Sequence, residues 1–297
     1  MTETTAIPTA PPRTPRYLVG VLYYGNHDTE HDRCMHKIYQ HPNVAEIKEL
    51  GGCAYIDIGR SLLATLTLDS EKYDGLLMID HDIVFEPEAV SMVIESAERL
   101  QGVVGGPYSM RSPGASIIGA VDTESLAPDE EVVFFEGGKL YPAVYLGMGF
   151  TAIPRSALLT LTKTMARVQT GVFPQTIYPL FALMMRDLKW FGEDISFCNR
   201  AHDARVPVGI DTRIRLHHRG TYDYGIEDCG TIVPYMKSVR GIIKEHPQLL
   251  NASHAPDPQV AAALAARETA AVVIEPAAPE TEWPRTLPLD AILEGAP

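Results

Sequence analysis

Residues 73–87, YDGLLMIDHDIVFEP, constrain the fold more than any other part of the chain. The apolar run 76–79 is typical of a buried strand, and two aspartates follow it, Asp80 and Asp82. Side chains alternate along a strand, so residues i and i+2 share a face and both carboxylates are expected to point the same way. Oxygen ligands so placed suit Mg²⁺ or Mn²⁺, which proteins hold with one or two carboxylates plus substrate phosphates. The pattern predicts a metal–diphosphate site.

The surroundings of the two aspartates decide between this site and an ordinary aspartate-rich turn after a strand. An Asp-x-Asp triplet alone is weak evidence, because aspartate is a common residue. Here a buried strand precedes the triplet, and a helical pattern opens just after Pro87. Ligands of open α/β sheets bind outside the carboxyl ends of strands, where this pair would lie. The context therefore favours the metal site.

The order of apolar segments predicts an α/β fold. Residues 17–24 read as a first strand, 54–58 as a second and 76–79 as a third, with a helix at 61–68 between the last two. Strands that alternate with helices imply a mostly parallel sheet. The first strand and the polar stretch after it, which contains His27, Asp28, His31 and Asp32, are interpreted as a first βα unit, and the polar stretch itself is predicted to be a loop.

Later segments add two features to this fold. Residues 132–135 and 139–141 flank Gly137 and Gly138, which predicts a hairpin with a tight turn. Gly147 and Gly149 interrupt the next apolar strand, at 145–154, where glycine often marks close approach of a ligand or another backbone. We therefore expect these two glycines to line the substrate.

Composition and charge exclude several classes of protein. The chain has 297 residues, of which 45% are hydrophobic, and a formal net charge of −13. An extended nucleic-acid surface is not expected, because phosphate contacts require clustered Lys and Arg. No stretch approaches the ~20 apolar residues of a membrane span, and the N-terminal segment lacks the apolar region of a signal peptide. We expect a soluble cytoplasmic protein, located in the host cytoplasm if the chain is phage-encoded.

The predicted organisation is one main domain, residues 16–250, between two tails. Residues 1–15 are rich in Pro and Thr, and residues 251–297 are rich in Ala, Pro and Glu, so both are expected to be disordered. Within the domain, 16–108 is interpreted as the nucleotide-binding half and 109–250 as the acceptor half. The four cysteines show no metal-ligand spacing and are expected to be reduced.

Six sequence motifs occur in an order that resembles the GT-A glycosyltransferase superfamily, specifically its family-2-like and phage-encoded members. They are Arg60 before SLLAT, IDHDIVFEP, GGPYSMR, YLGMGFTAIPR, FGEDISFCNRA and LHHRG. The resemblance covers about residues 16–224. It implies a Rossmann-like, mostly parallel central sheet flanked by helices, with a small antiparallel region on the acceptor side.

The resemblance also implies roles for individual residues. Those matching the metal site of the family are Asp80, Asp82 and His218, with Asp82 the expected direct ligand. Those on the nucleotide or cofactor side are Tyr23, Tyr24, Arg60, Asp80, Asp82, Gly147 and Gly149. His217 is one residue away from the matching position and would face the other way on a strand.

Glu193 and Asp194 match the acidic pair of the family. The resemblance implies that Asp194 is the general base toward the acceptor hydroxyl and that the reaction inverts the sugar configuration if Asp194 faces the acceptor. The alternative is that both residues only complement the dipole of the helix that starts here.

These motifs predict a metal-dependent glycosyltransferase that uses Mn²⁺ or Mg²⁺ and a UDP- or GDP-sugar. The acceptor stays open between a glycan, a lipid headgroup, a protein side chain and a modified nucleobase. One alternative is a sugar nucleotidyltransferase, although LYYGNHDTEHDR lacks the glycine-rich phosphate loop of that class. Another is a non-catalytic module that binds a glycan or a partner on the same fold, although such a module would be expected to lose carboxylates that this chain retains.

Overall fold

Strands and helices alternate through the first hundred residues and build one large sheet with later segments. The structure is a computed structural model that describes residues 13–25, 28–111, 116–128, 130–220, 223–226 and 241–243. The predicted tail 251–297 and most of the predicted tail 1–15 lie outside these residues. The division of the domain at residue 108 stays a prediction.

The helices and strands of the described residues have the following bounds. The helices are α1 (Thr29–Ile38), α2 (Ile56–Leu68), α3 (Glu88–Leu100), α4 (Arg155–Thr162) and α5 (Glu193–Asp203). The strands are β1 (Tyr17–Tyr23), β2 (Val44–Gly51), β3 (Gly75–Asp80), β4 (Ile83–Phe85), β5 (Val103–Gly105), β6 (Tyr108–Ser109), β7 (Ile117–Val121), β8 (Val132–Phe134), β9 (Leu140–Leu146), β10 (Phe150–Pro154), β11 (Met184–Arg186), β12 (Lys189–Phe191), β13 (Val208–Asp211), β14 (Leu216–Arg219), β15 (Asp223–Tyr224) and β16 (Gly241–Ile243).

The central sheet has the strand order β2-β1-β3-β10-β5-β13-β9-β7-β6 among the described residues. Strands β1, β2, β3, β5, β7 and β13 run in one direction, and β6, β9 and β10 run in the other. Two smaller sheets, β15-β14-β4 and the hairpin β11-β12, are antiparallel. These features confirm the predicted α/β fold with a mostly parallel central sheet flanked by helices and small antiparallel sheets.

Alternate residues of β3 pack into two hydrophobic clusters on opposite faces of the sheet. Leu76 and Met78 belong to the cluster that includes residues of α2, α4 and α5. Leu77 and Ile79 belong to the cluster that includes residues of α1 and α3. Because helices cover both faces, β3 reads in the sequence as a continuous apolar run rather than an alternating one.

Two predictions for the segment between β1 and α2 are wrong. The second strand is Val44–Gly51 rather than 54–58, because the chain turns at Gly52, whose φ is +68°, and α2 already begins at Ile56. The predicted loop at 27–32 is largely helix α1. Asp28 caps this helix, and its side chain accepts hydrogen bonds from the backbone N–H groups of Glu30 and His31.

The hairpin predicted around Gly137 and Gly138 is also wrong. Strand β8 pairs with β16, whereas β9 pairs with β13 and β7. The backbone between β8 and β9 bonds to Thr212 instead: Phe135 N–H donates to the Thr212 carbonyl at 2.7 Å, and Thr212 N–H donates to the Lys139 carbonyl at 3.0 Å. A third segment therefore takes the hydrogen bonds that a hairpin would have used.

The end of β3 and the small sheet β15-β14-β4 together place the carboxylates. Strand β3 ends at Asp80, and β4 then pairs antiparallel with β14, which sets Ile83 opposite His218. The turn between β3 and β4 therefore lies beside β14, far along the chain. The late histidine and the second aspartate meet through this strand pairing.

Gly75, the first residue of β3, is packed closely between strands β1 and β10. A Cβ atom at this position would lie 2.3 Å from Cε1 of Tyr17 and 2.7 Å from the carbonyl oxygen of Ile153. We expect Gly75→Ala to lower the free energy of unfolding by about 1–3 kcal/mol, because overpacking forces the backbone to shift. Urea unfolding measures the change, with Gly192→Ala as control, since a Cβ at Gly192 would have no heavy atom within 4 Å. Equal losses in the two variants would contradict the packing.

Candidate functional site

Arg60 is the buried centre of the site. Its side chain is 2% exposed, and it projects from α2 toward the carboxyl end of β3. Its Nη2 donates to both carboxylate oxygens of Asp80, at 2.9 Å and 3.0 Å. The predicted arginine and the first predicted aspartate thus form a close ion pair.

The same guanidinium also faces the start of α5. Nη1 of Arg60 donates to Oε1 of Glu193 at 3.4 Å and lies 3.6 Å from Oδ1 of Asp194. Burial alone would lower the pKa of Arg60, but the negative charges of Asp80, Asp194 and Glu193 outweigh it and raise that pKa above its ordinary value. Arg60 therefore stays charged and joins β3 to α5.

The pKa of the Glu193 carboxyl group is raised well above its ordinary value. Burial, a hydrogen bond with Asp194 and the charge of Asp194 raise the pKa of Glu193 to about 7, although Arg60 acts in the opposite direction. A proton on Glu193 reduces the repulsion between its carboxyl group and that of the neighbouring Asp194. Glu193 therefore gains or loses a proton readily near neutral pH.

Asp82 has different partners from Asp80. Strand β3 ends at Asp80 and residues 81–82 form a turn, so the alternation that predicted a shared face does not extend to Asp82. Oδ2 of Asp82 lies 3.0 Å from Nη1 of Arg111 and 3.4 Å from Nε2 of His218. Burial raises the pKa of Asp82, but the hydrogen bond with His218 and the charges of His218, Arg111 and His81 lower it below its ordinary value. Asp82 is ionised at neutral pH.

His218 presents one ring nitrogen to Asp82 and the other to the backbone. Its Nδ1 lies 2.8 Å from the carbonyl oxygen of Ser109, which can only accept a hydrogen bond, so Nδ1 carries the hydrogen. Nε2 faces a carboxylate oxygen of Asp82, to which it donates a hydrogen bond when the ring is protonated, and its lone pair is available to a cation when the ring is neutral. Two acceptors so close to each other require a proton or a metal cation between them.

Tyr108 occupies the space that side chains at Gly147 and Gly149 would need. Its hydroxyl oxygen accepts the backbone N–H of Gly149 at 3.0 Å, and its ring lies edge-on to His218, with ring centroids 5.3 Å apart. A Cβ at Gly147 or Gly149 would lie 2.3 Å or 2.7 Å from that oxygen. The glycines lie between β9 and β10 rather than within one strand, and they make room for Tyr108. That they line the substrate stays a prediction.

The two tyrosines predicted on the nucleotide side lie at the end of β1. The register of β1 with β3 sets Leu22 opposite Asp80, so Tyr23 lies one residue beyond the level of that carboxylate. Tyr23 packs against Gly51, where a Cβ would lie 2.5 Å from its hydroxyl oxygen. Tyr24 is 72% exposed. Both residues therefore lie at the same edge of the sheet as the carboxylates.

The side chains of Asp82 and His218 suit a divalent cation whose remaining ligands are waters or substrate phosphates. Within the described ranges, no group of three His, Cys, Asp or Glu side chains is arranged to hold a metal. Asp82 and His218 supply one oxygen and one nitrogen, whereas both oxygens of Asp80 bond to Arg60. Mg²⁺ and Mn²⁺ sites commonly combine one or two protein ligands with waters and substrate phosphates. The geometry thus favours Asp82 and His218 over Asp80 as direct ligands.

Other predicted residues lie outside this cluster. His217 lines a separate cavity of about 230 Å³ between β4, α3 and the segment before β14, so it faces away from His218, as predicted. Cys34, Cys53 and Cys198 are free thiols, and Cys229 lies outside the described residues. None of the described helices is long and apolar enough to cross a membrane.

Sequence reasoning missed three contributors to the site: Tyr108, Ser109 and Arg111. All three belong to the motif GGPYSMR, which was recognised without a role for any one of its residues. The signal was the position of this motif directly after strand β5, where ligand-contacting residues are expected in α/β sheets.

No protein-family model matches the chain, and no curated protein matches it. The fold is similar to the crystal structure of A197 from STIV, with 16% sequence identity and a TM-score of 0.46, over 69% of this chain and 86% of that chain. A likeness at this level says nothing about activity, so the function rests on the site itself.

The raised pKa of Glu193 predicts a pH dependence of stability. A carboxyl whose folded pKa exceeds its unfolded value of 4.5 contributes most below pH 4.5, and its contribution is lost as the pH rises through about 7. We therefore expect Glu193→Gln to gain stability relative to the wild type over this interval, by on the order of 2–3 kcal/mol. Urea unfolding at pH 4.5, 6 and 8 measures the difference.

The control for this prediction is Glu49→Gln, at an exposed position of β2. Its stability relative to the wild type should change little over the same interval. A Glu193→Gln difference that stays constant from pH 4.5 to 8 would contradict the assigned protonation.

Proposed function

We propose that this chain is a metal-dependent glycosyltransferase that moves a sugar from a nucleotide donor to a hydroxyl acceptor. One observation carries the proposal: Nε2 of His218 faces Oδ2 of Asp82 at 3.4 Å, while Nδ1 is fixed by the Ser109 carbonyl. A backbone carbonyl on the second nitrogen is the usual orienting partner of a metal-ligating histidine. This pair lies at the carboxyl end of β3, where α/β sheets bind their ligands.

Each side chain then has a distinct task in donor binding. Asp82 and His218 would hold Mn²⁺ or Mg²⁺, and such a cation neutralises the charge that grows on a departing diphosphate. Asp80 is held by Arg60 through both oxygens, and its remaining lone pairs are available to hydroxyl groups of the donor. A UDP- or GDP-sugar is the donor class that this arrangement suits.

The acidic pair on α5 is suited to the acceptor. The acceptor hydroxyl must lose its proton as it attacks the sugar, and a carboxylate within hydrogen-bond reach can accept it. We propose Asp194 as this base, with Glu193 as its proton-sharing partner. Arg60 contacts both residues and Asp80, so it fixes the base relative to the donor side of the site.

The finer features expected from the sequence belong to this proposal as well. They are inversion of the sugar configuration, a cytoplasmic location, and an acceptor that is a glycan, a protein or a modified nucleobase.

Calorimetric titration with UDP and GDP, with and without Mn²⁺, tests the proposal. We expect the wild type to bind at least one of them only when Mn²⁺ is present. Asp82→Asn should weaken this binding about 100-fold, because it removes a charged metal ligand. Asp194→Asn is the matched control: it should bind the nucleotide within about twofold of the wild type, because Asp194 acts on the acceptor, yet should not transfer sugar.

Three outcomes would contradict the proposal. Absence of metal-dependent binding in the wild type would end the transferase assignment. Retained metal-dependent binding in Asp82→Asn would show that the ligand is misassigned. Intact binding without transfer or hydrolysis of any nucleotide sugar would indicate a non-catalytic binding module on the same fold.

A further inference from the structure

Arg111 lies beside the carboxylate of Asp82, the residue that we propose as a metal ligand. Its Nη1 lies 3.0 Å from Oδ2 of Asp82, the same oxygen that faces Nε2 of His218. The side chain of Asp82 is 13% exposed, whereas that of Arg111 is 52% exposed. One carboxylate oxygen therefore serves a solvent-facing guanidinium and a histidine at once.

A guanidinium and a divalent cation cannot both lie against this oxygen without strong repulsion. Like charges 3–4 Å apart repel each other strongly at the effective dielectric of a protein surface. The two cations must compete. Because exposed ion pairs are weak, Arg111 is the partner that a metal ion can displace.

The other arginines of the site are held more firmly. Arg60 is buried and faces three carboxylates. Arg219, whose backbone N–H donates to the Asp82 carbonyl at 2.6 Å, forms side-chain ion pairs with both Asp28 and Asp223. Neither can turn toward a new anion without leaving buried or multiple partners.

The aliphatic stem of Arg111 lies beside Gly220, just after the end of β14. A Cβ at Gly220 would lie 3.3 Å from Cδ of Arg111, so the aliphatic part packs closely beside the end of β14. A displaced guanidinium would therefore turn about this stem and stay near the site. The nearest new anion would be the donor diphosphate, and the planar fork of an arginine matches phosphate oxygens in bidentate fashion.

We infer that Arg111 has two successive partners: it neutralises Asp82 before the metal binds, and it binds the diphosphate once the metal has taken its place. This inference rests on the proposed function, because it requires a metal and a nucleotide diphosphate at this site. In this role Arg111 weakens the binding of the metal alone and strengthens the binding of the metal together with the diphosphate. Loss of its positive charge should therefore affect the two ligands in opposite directions.

The test compares Arg111→Ala with the wild type in two titrations. With Mn²⁺ alone, monitored by the electron paramagnetic resonance of the free ion, Arg111→Ala should bind about threefold more tightly, because a weak competing ion pair is gone. With UDP or GDP at saturating Mn²⁺, monitored by calorimetry, it should bind about tenfold more weakly, because a charge-assisted phosphate contact is lost. Arg111→Lys, which keeps the charge without the fork, should restore the wild-type Mn²⁺ affinity but only part of the diphosphate affinity.

Matched controls separate this inference from the proposed function. Arg33→Ala, in α1, also removes an exposed arginine, 67% exposed, with an ion pair to Glu30, and both affinities should be unchanged. If the wild type binds Mn²⁺ and Asp82→Asn does not, the metal site stands. An Arg111→Ala variant that then matches the wild type in either titration overturns the role of Arg111 alone. A wild type that binds no Mn²⁺ overturns the proposed function and this inference together.

Discussion

The buried guanidinium of Arg60 is the interaction on which the site depends. A charged group in this environment is tolerated only when paired, and removing one partner of a buried ion pair typically costs about 3–5 kcal/mol. Arg60 has Asp80 on β3 and the Glu193–Asp194 pair on α5 as partners, so it joins segments more than a hundred residues apart. Burial and the neighbouring Asp194 raise the pKa of Glu193, even though the charge of Arg60 lowers it.

This pairing separates the roles of the two aspartates. Asp80 is held inside the cluster by Arg60, whereas Asp82, just beyond the end of β3, turns toward β14 and meets His218. Asp80 thereby links β3 to α2, whereas Asp82 is the aspartate that we propose as the ligand of a cation. Arg111 fits the same division, because it neutralises the outer aspartate from the solvent side.

Much of this arrangement could be predicted from local patterns. The buried strand before Asp80, the helix after Pro87 and the acidic start of α5 each depend on neighbouring residues, and all three are present. The location of β2 and the partners of β8 could not be predicted, because Gly52 and Thr212 redirect the backbone through a turn and a distant segment.

The contacts between individual site residues could not be predicted from local sequence patterns either. A two-residue spacing predicted a shared face for Asp80 and Asp82, but the strand ends between them and each contacts a different element. The roles of Tyr108 and Ser109 depend on the approach of β6 to β14, which no local pattern encodes. A sequence motif indicated where the chemistry lies, while tertiary contacts determined which atoms face each other.

We propose that Asp82 and His218 share one cation, and the nitrogen coordination of bound Mn²⁺ is the sharpest test of this proposal. Electron spin-echo envelope modulation of the Mn²⁺-loaded protein should show coupling to one imidazole ¹⁴N, which His218→Ala abolishes and His217→Ala preserves. Absence of nitrogen coupling in the wild type, or coupling that persists in His218→Ala, would contradict the claim.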